Sequence, residues 1–229
     1  MSAERARAVE TPRIEAFGDA AVLVTFGATP DDASNRRAHA LAAAVESLRH
    51  HDRRYGRAVP ARTSVLVPFD PLAVSAAEAR ETLASLAGTA RDSAAKPPAR
   101  PVVEIPVRYG GLDGPDLGPV AELLGLRPGD VVELHAGSEY RVRFLGFAPG
   151  FGYLGPLAPE LEVPRLATPR ERVPAGSVGI AGDGTAVYPF ELPGGWRLLG
   201  RTEAPMWDVR RDPPALLAPG DRVRFVPLR

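Results

Sequence analysis

FLGFAPGFGYLGPLAPELEVPRLATPRERVPAGSVGIAGDGTAVYPFELPGGWRLLGRT, residues Phe144 to Thr202, is the stretch whose reading decides the fold. Between Gly146 and Gly200 it carries eleven Gly and eight Pro in fifty-five residues. Aromatics, Val, Ile and Leu are interleaved throughout, so the composition is not that of a disordered linker. Gly permits backbone geometries closed to other residues, and Pro fixes φ and removes a donor. This density therefore predicts short strands joined by tight turns, an ordered surface of the kind that carries binding sites.

Working outward, Tyr140, Val142 and Phe144 alternate with Arg141 and Arg143, the period of a half-buried strand. Further strands are predicted at Val102–Tyr109, Ser177–Ala181, Thr185–Phe190, Trp196–Arg201 and Arg222–Val226, with a short helix at Asp116–Leu124 and a helical turn at Val131–His135. Many short strands with Gly/Pro corners favour a closed or nearly closed β-barrel. The first ninety residues read differently: strands at Arg13–Phe17, Ala20–Phe26 and Thr63–Phe69, and helices from Pro30 to His50 and from Ser75 to about Gly88. Thr29 as cap and Pro30 at the first position start one helix, and a Ser75/Glu78 capping box starts the other. The order β, β, α, β, α suits a ferredoxin-like sandwich. Asp92 to Pro101, DSAAKPPARP, reads as a semi-rigid linker, which places an α+β domain at 1–95 and a β-barrel domain at 96–229.

Composition excludes several chemistries. The chain has 229 residues, no Cys, and twenty-eight basic residues against twenty-eight acidic ones. The balance holds on both sides of the linker, so no basic half offers a footprint for nucleic acid or an anionic membrane. Thiolate nucleophiles, disulfides, Fe–S clusters and Cys-bound zinc are ruled out. The single Lys, Lys96, sits between Ala95 and Pro97, which suits neither a P-loop nor a Schiff base. Anions must therefore be met by Arg or backbone N–H. No apolar run reaches the length of a membrane span and the N-terminus lacks a signal-peptide core, so a cytoplasmic protein is expected.

Gly150, Gly152 and Gly155 match GxGxxG after a strand, but Pro156 and Pro159 block the helix whose N-terminus would receive a pyrophosphate. His39, His50 and His51 fall on the first helix without i, i+4 spacing and read as solvated surface. His135 reads as structural.

Candidate site residues come from the Gly-rich segment. Arg165, Arg170 and Arg172 cluster within eight residues and Arg143 and Arg201 flank them; Arg forks match phosphate and carboxylate geometry. Tyr153, Ser177, Thr185, Tyr188 and Thr202 are candidates for positioning a substrate, and Phe147, Phe151 and Trp196 for lining a pocket. Pro149-Gly150 and Pro174-Ala175-Gly176 shape loops whose N–H groups can face an anion.

The runs YGGLDGPDL (109–117), YRVRFLGFAPGFGYLG (140–155), PRLATPRERVPAGSVGIAG (164–182), YPFELPGGWRLLGRT (188–202) and PALLAPGDRVRFVP (214–227) resemble one family. RIEAFGDAAVLVTFG (13–27), Asn35-Arg36-Arg37 and SVLVPFDP (64–71) extend the likeness over nearly the whole chain. It is the 5-oxoprolinase B-subunit family, whose members are also labelled allophanate hydrolase subunit 1 or KipI-like kinase inhibitor. The resemblance implies a ferredoxin-like first domain and a cyclophilin-like barrel, working with separate A and C subunits, of which the C subunit is itself a homologous barrel. It implies opening of 5-oxoproline to glutamate with ATP, which together with Mg²⁺ would bind only in the complex; no dedicated metal site is expected. Arg170, Arg172 and Tyr188 would then be catalytic, and Arg143, Phe147, Pro149, Gly150, Tyr153, Arg165, Pro174, Ser177, Thr185, Trp196 and Arg201 would bind substrate. Two other readings attach to the same family: inhibition of a sensor histidine kinase, and a part in urea or allophanate metabolism. The chain departs from the family at Gly184-Thr185-Ala186, where relatives often read Gln-Thr-Gly, and at Gly152, where many have Pro.

Overall fold

The computed structural model describes residues 11–28, 31–89 and 101–228. The chain divides into two compact units, Met1–Pro97 and Pro98–Arg229. Among the described residues no helix is long and apolar enough to cross a membrane.

In the first unit, strands β1 (Arg13–Ala16), β2 (Ala21–Thr25), β3 (Val59–Pro60) and β4 (Ser64–Pro68) form one antiparallel sheet in the order β1-β2-β4-β3. Alternation in AVLVT and SVLVP puts Val22, Val24, Val65 and Val67 on one face, where all four are buried. Helices α1 (Asp32–His51) and α2 (Ala76–Thr89) cover that face through Ala38, Leu41, Val45, Ala79 and Leu83. The expected Thr29 cap and Pro30 start lie outside the described residues. The cap that is described is Asp31, whose carboxylate accepts the Ser34 N–H at 2.7 Å. Ser75 caps α2 as expected, accepting the Glu78 N–H at 3.2 Å. The two-residue β3 was too short to show a period in the sequence. Apart from Pro101, the expected linker also lies outside the described residues.

Asn35 ties this layer together. Its buried side chain donates to the Arg62 carbonyl at 3.0 Å and to that of Ala61 at 3.4 Å, pinning α1 to the turn before β4. Replacing Asn35 with Ala leaves these carbonyls short of a donor and is expected to cost about 1–2 kcal/mol. Chemical denaturation followed by circular dichroism checks this, and an unchanged midpoint would refute it.

The second unit is built on a closed barrel in the order β10-β7-β6-β13-β5-β12-β9. Its strands are β5 (Val103–Tyr109), β6 (Tyr140–Leu145), β7 (Gly152–Gly155), β9 (Ser177–Ala181), β10 (Gly184–Val187), β12 (Arg197–Arg201) and β13 (Arg222–Pro227). Only the β5/β13 pair is parallel. Closure leaves no strand edge unpaired. A two-stranded ribbon, β8 (Arg170–Val173) with β11 (Leu192–Gly194), stands apart from the barrel ladder. Helices α3 (Leu117–Leu124) and α4 (Pro128–Gly137) add Val120, Ala121 and Val131 to the core made by Ile105, Val107, Val142, Leu154, Val178, Ile180, Leu199, Val223 and Phe225.

The expected helical turn at Val131–His135 is a full ten-residue helix, because Pro128 occupies the first turn, where its missing N–H costs nothing. Of the dinucleotide-like glycines, Gly150 lies in a loop and Gly152 and Gly155 bound a strand, β7, and only a single 3₁₀ turn, Pro159–Leu161, follows in place of an α-helix. Parity along β10 separates two environments. Thr185 and Val187 face the barrel core, while Ala186 faces a second apolar cluster outside the barrel wall.

Candidate functional site

That second cluster holds Phe151, Val173, Ala181, Ala186, Tyr188, Trp196 and Leu198, with Ala148, Tyr153 and Leu192 packed against it. Its members come from the barrel strands, from the β8/β11 ribbon and from the loop between β6 and β7. Phe151 is the hub. Its ring centroid lies 5.0 Å from Tyr153, 5.3 Å from Tyr188 and Phe147, and 5.9 Å from Trp196, all edge-on. Tyr153 also stacks on Phe144 at 4.2 Å.

The loop presenting Phe147 is under backbone strain. Phe147 has φ 68, and the Ala148 N–H reaches the Gly146 carbonyl at 2.8 Å, which makes a tight γ-turn. Its side chain is 60% exposed at the rim of the aromatic cluster. Gly150 holds the loop down at φ 80, where an added Cβ would lie 2.8 Å from the Met206 carbonyl oxygen. The strained turn thus presents an exposed aromatic beside the buried cluster.

Polar groups converge on the same cluster. Tyr188 is gripped by the turn at Pro174–Ser177: its N–H donates to the Ser177 carbonyl at 2.9 Å, and its carbonyl accepts the Gly176 N–H at 2.7 Å. Arg201 braces that turn by donating to the Ala175 carbonyl at 2.9 Å. Burial pushes the Tyr188 phenol up, while a hydrogen bond from the Trp196 backbone and, less strongly, the charges of Arg165 and Arg170 pull it the other way. Burial likewise raises Tyr153 against the opposing charge of Arg165. Of the two arginines, Arg170 touches the cluster directly, through the Trp196 carbonyl. Arg170 is fixed there: Nη2 donates to Asp116 Oδ1 at 2.7 Å and Nη1 to the Trp196 carbonyl at 3.4 Å.

The structure therefore brings together Phe147, Phe151, Tyr153, Arg170, Tyr188 and Trp196 from the sequence-derived set, with Phe144, and the charge of Arg165 acts on both tyrosines. Other members of that set lie in different surroundings. Arg172 follows Arg170 by two on β8, but its side chain is 81% exposed and its nearest carboxylate, Glu191, is 3.9 Å away. Arg143 pairs with Asp183 at 2.8 Å. Thr185 is inside the barrel, donating to the Gly179 carbonyl at 3.0 Å and lying 2.9 Å from His135 Nε2. Thr202 accepts the Ala204 N–H at 3.1 Å. Ser177 and Pro174 serve the Tyr188 turn through their backbone, and Pro149 sits in the loop that Gly150 anchors. Asp116 was missed as a site residue because an Asp opening a helix reads as a cap. No cap bond is made; its carboxylate turns to Arg170 instead.

Residues 12–217 match the family of carboxyltransferase domains, subdomains C and D. The chain is 40% identical over 225 residues to the 5-oxoprolinase B subunit of Bacillus subtilis (strain 168), covering 93% of this chain and 92% of the relative. This chain belongs to the 5-oxoprolinase B-subunit family. Among solved structures, family likeness extends to TTHA0988, at 42% identity and TM-score 0.77 over 91% of this chain. Only 40% of that longer chain is matched. The urea carboxylase of Kluyveromyces lactis shares the fold at 21% identity, with TM-score 0.76 over 95% of this chain and 22% of its own.

Proposed function

We propose that the chain is the B subunit of an ATP-dependent 5-oxoprolinase, acting with A and C subunits, the latter a homologous barrel, to open 5-oxo-L-proline to L-glutamate. The observation that carries this reading is the meeting of Arg170, Tyr153 and Tyr188 at an aromatic cluster on which the charge of Arg165 also acts. 5-Oxoproline is a small, flat lactam bearing one carboxylate. An aromatic floor accepts the ring, and a guanidinium fork takes a carboxylate or phosphate with matched geometry. Burial raises both phenols, so both are protonated at neutral pH; the partly exposed Tyr153 can donate its hydroxyl to a substrate oxygen, while the buried Tyr188 braces the floor.

A lactam carbonyl is stabilised by resonance and resists water. Transfer of the γ-phosphoryl group of ATP, which would arrive with Mg²⁺ on its phosphates, to the lactam oxygen with loss of ADP would make the carbonyl carbon attackable by water; departure of the ring nitrogen opens the ring, and hydrolysis releases the phosphate. Arg165 and Arg170 would hold the anionic oxygens of substrate and nucleotide, and a site closed by a second subunit would strengthen that attraction by excluding water. Closure by a partner also fits the exposed Phe147 at the rim. The two units are further proposed to be a ferredoxin-like sandwich (1–95) and a cyclophilin-like barrel (96–229), supported by the antiparallel four-stranded sheet under two helices and by the closed barrel.

Reconstitution tests the reading. The purified chain mixed with its cognate A and C subunits is expected to release glutamate from 5-oxoproline and ATP. Equal release without this chain would sink the assignment. Tight binding of a sensor histidine kinase without any turnover would favour the inhibitory reading instead. Within the active complex, Arg165→Ala and Arg170→Ala are each expected to lower kcat/KM on the order of 100-fold. Solvent-facing Arg172→Ala is expected to cost less than Arg170→Ala, and the reverse order would move the site outward along β8.

A further inference from the structure

We infer that Asp116 is the positioning residue that sets the Arg170 guanidinium at the aromatic site; the inference rests on the proposal that Arg170 receives an anionic group of the substrates. Asp116 and Arg170 are fifty-four positions apart, yet their side chains, 10% and 29% exposed respectively, meet at 2.7 Å. The second Asp116 oxygen, Oδ2, accepts the Leu198 N–H at 2.7 Å, and the Asp116 N–H donates to the Leu198 carbonyl at 3.0 Å. The carboxylate is thus locked to β12 by backbone bonds before it meets the arginine. Leu198 and Trp196 belong to the aromatic cluster, and the Trp196 carbonyl takes the other Arg170 amine, Nη1.

A guanidinium carries five N–H donors. Asp116 and Trp196 engage one each, which leaves three for a ligand on a side chain that is only partly covered. A free arginine would sample many rotamers, whereas this one is held in place before substrate arrives, and such prior orientation is what lets a group bind and act without reorganising. The loop that brings Asp116 to β12 is built for the approach. Gly114 lies against the Leu199 backbone, and the Gly110 N–H donates to the Leu199 carbonyl at 2.9 Å.

Asp116→Asn is a selective probe. The fixed Leu198 N–H claims the amide oxygen, so the amide NH₂ is turned toward Arg170 and releases it. The complete complex is assayed as wild type, Asp116→Asn, Arg170→Ala and the double variant, with each chain's melting recorded by circular dichroism. Asp116→Asn is expected to lower kcat/KM on the order of 10- to 100-fold. In the Arg170→Ala background it is expected to change kcat/KM no more than about twofold, since coupled residues are not additive. An equal loss in both backgrounds would assign Asp116 to the fold alone, as would loss tracking melting temperature. Should Asp116→Asn fail to fold, Arg170→Lys keeps the Asp116 charge paired but loses the fork, and wild-type kcat/KM for it would overturn the inference.

A second readout needs no turnover. In a Trp207→Phe background Trp196 is the sole tryptophan, and its fluorescence is titrated with inorganic phosphate and with 5-oxoproline. A response that weakens at least tenfold in Asp116→Asn supports the inference even if the complex proves inactive on 5-oxoproline. Normal turnover with an unaltered response in the variant overturns the role of Asp116 and leaves the proposed function standing. A wild-type chain that responds to neither ligand and supports no turnover overturns both.

Discussion

Gly114→Ala is expected to unsettle the barrel unit by about 3 kcal/mol, at the upper end of what overpacking costs. An alanine Cβ at this position would fall onto the carbonyl group of Leu199. That neighbour is backbone of β12, which pairs with both β5 and β9, so it cannot swing aside like the end of a side chain. Either the Gly110–Asp116 loop lifts off or β12 shifts. Lifting the loop breaks the bonds from Gly110 and Asp116 to Leu199 and Leu198 and carries the Asp116 carboxylate away from Arg170. The substitution should therefore lower the melting temperature by about 10 °C for a unit of this size and also reduce turnover. Gly111→Ala is the matched control. It meets no atom within 4 Å and strains only φ 57, for a cost of about 1–2 kcal/mol. Equal melting temperatures for the two alanine variants would mean that close packing against β12 does not hold the loop.

What the sequence made legible follows from where side chains report their surroundings. Tyr140, Val142 and Phe144 alternate visibly with Arg141 and Arg143, and β6 lies where that period puts it. GYLG has glycine at both ends, so β7 shows no alternation, although it pairs with both β6 and β10. RERV and LPG are short and polar or broken by Pro, and the ribbon they form covers one side of the aromatic cluster. The aromatic and arginine content of the site was visible as composition. Its selection from the larger set was not, because selection depends on parity and on contacts distant in sequence. Thr185 and Ala186 are neighbours in the chain on opposite sides of the barrel wall, and only the strand's place in the ladder decides which faces the site. Asp116 meets a partner fifty-four positions away, for which no local pattern exists.

His135→Gln is expected to abolish a pH dependence of stability that the wild-type chain shows between pH 7 and 5. His135 is fully buried on α4, stacked on Phe225 at 4.6 Å, with its Nδ1 2.7 Å from the Tyr109 hydroxyl and its Nε2 2.9 Å from Thr185 Oγ1. The Thr185 hydroxyl already donates to the Gly179 carbonyl, so Nε2 carries the proton and Nδ1 accepts from Tyr109. Each ring nitrogen is satisfied in the neutral form. A second proton would charge the ring in a dry core, and burial accordingly lowers its pKa from 6.5 to about 3. The unfolded chain takes up that proton below about pH 6.5 while the native chain refuses it until about pH 3, so stability rises with pH across this window. Acidification from pH 7 to 5 should cost about 2 kcal/mol, or about 6 °C in melting temperature. The lowered carboxyls of Glu46, Asp52, Asp130 and Asp208 also make stability fall with acid, but from unfolded values of 4.5 and 3.8, below this range. Glutamine at 135 does not titrate; it leaves one of the two hydroxyl partners poorly met and starts about 2 kcal/mol less stable at pH 7. Its melting curve should then stay level to pH 5, and a wild-type slope in His135→Gln would place the titrating group elsewhere.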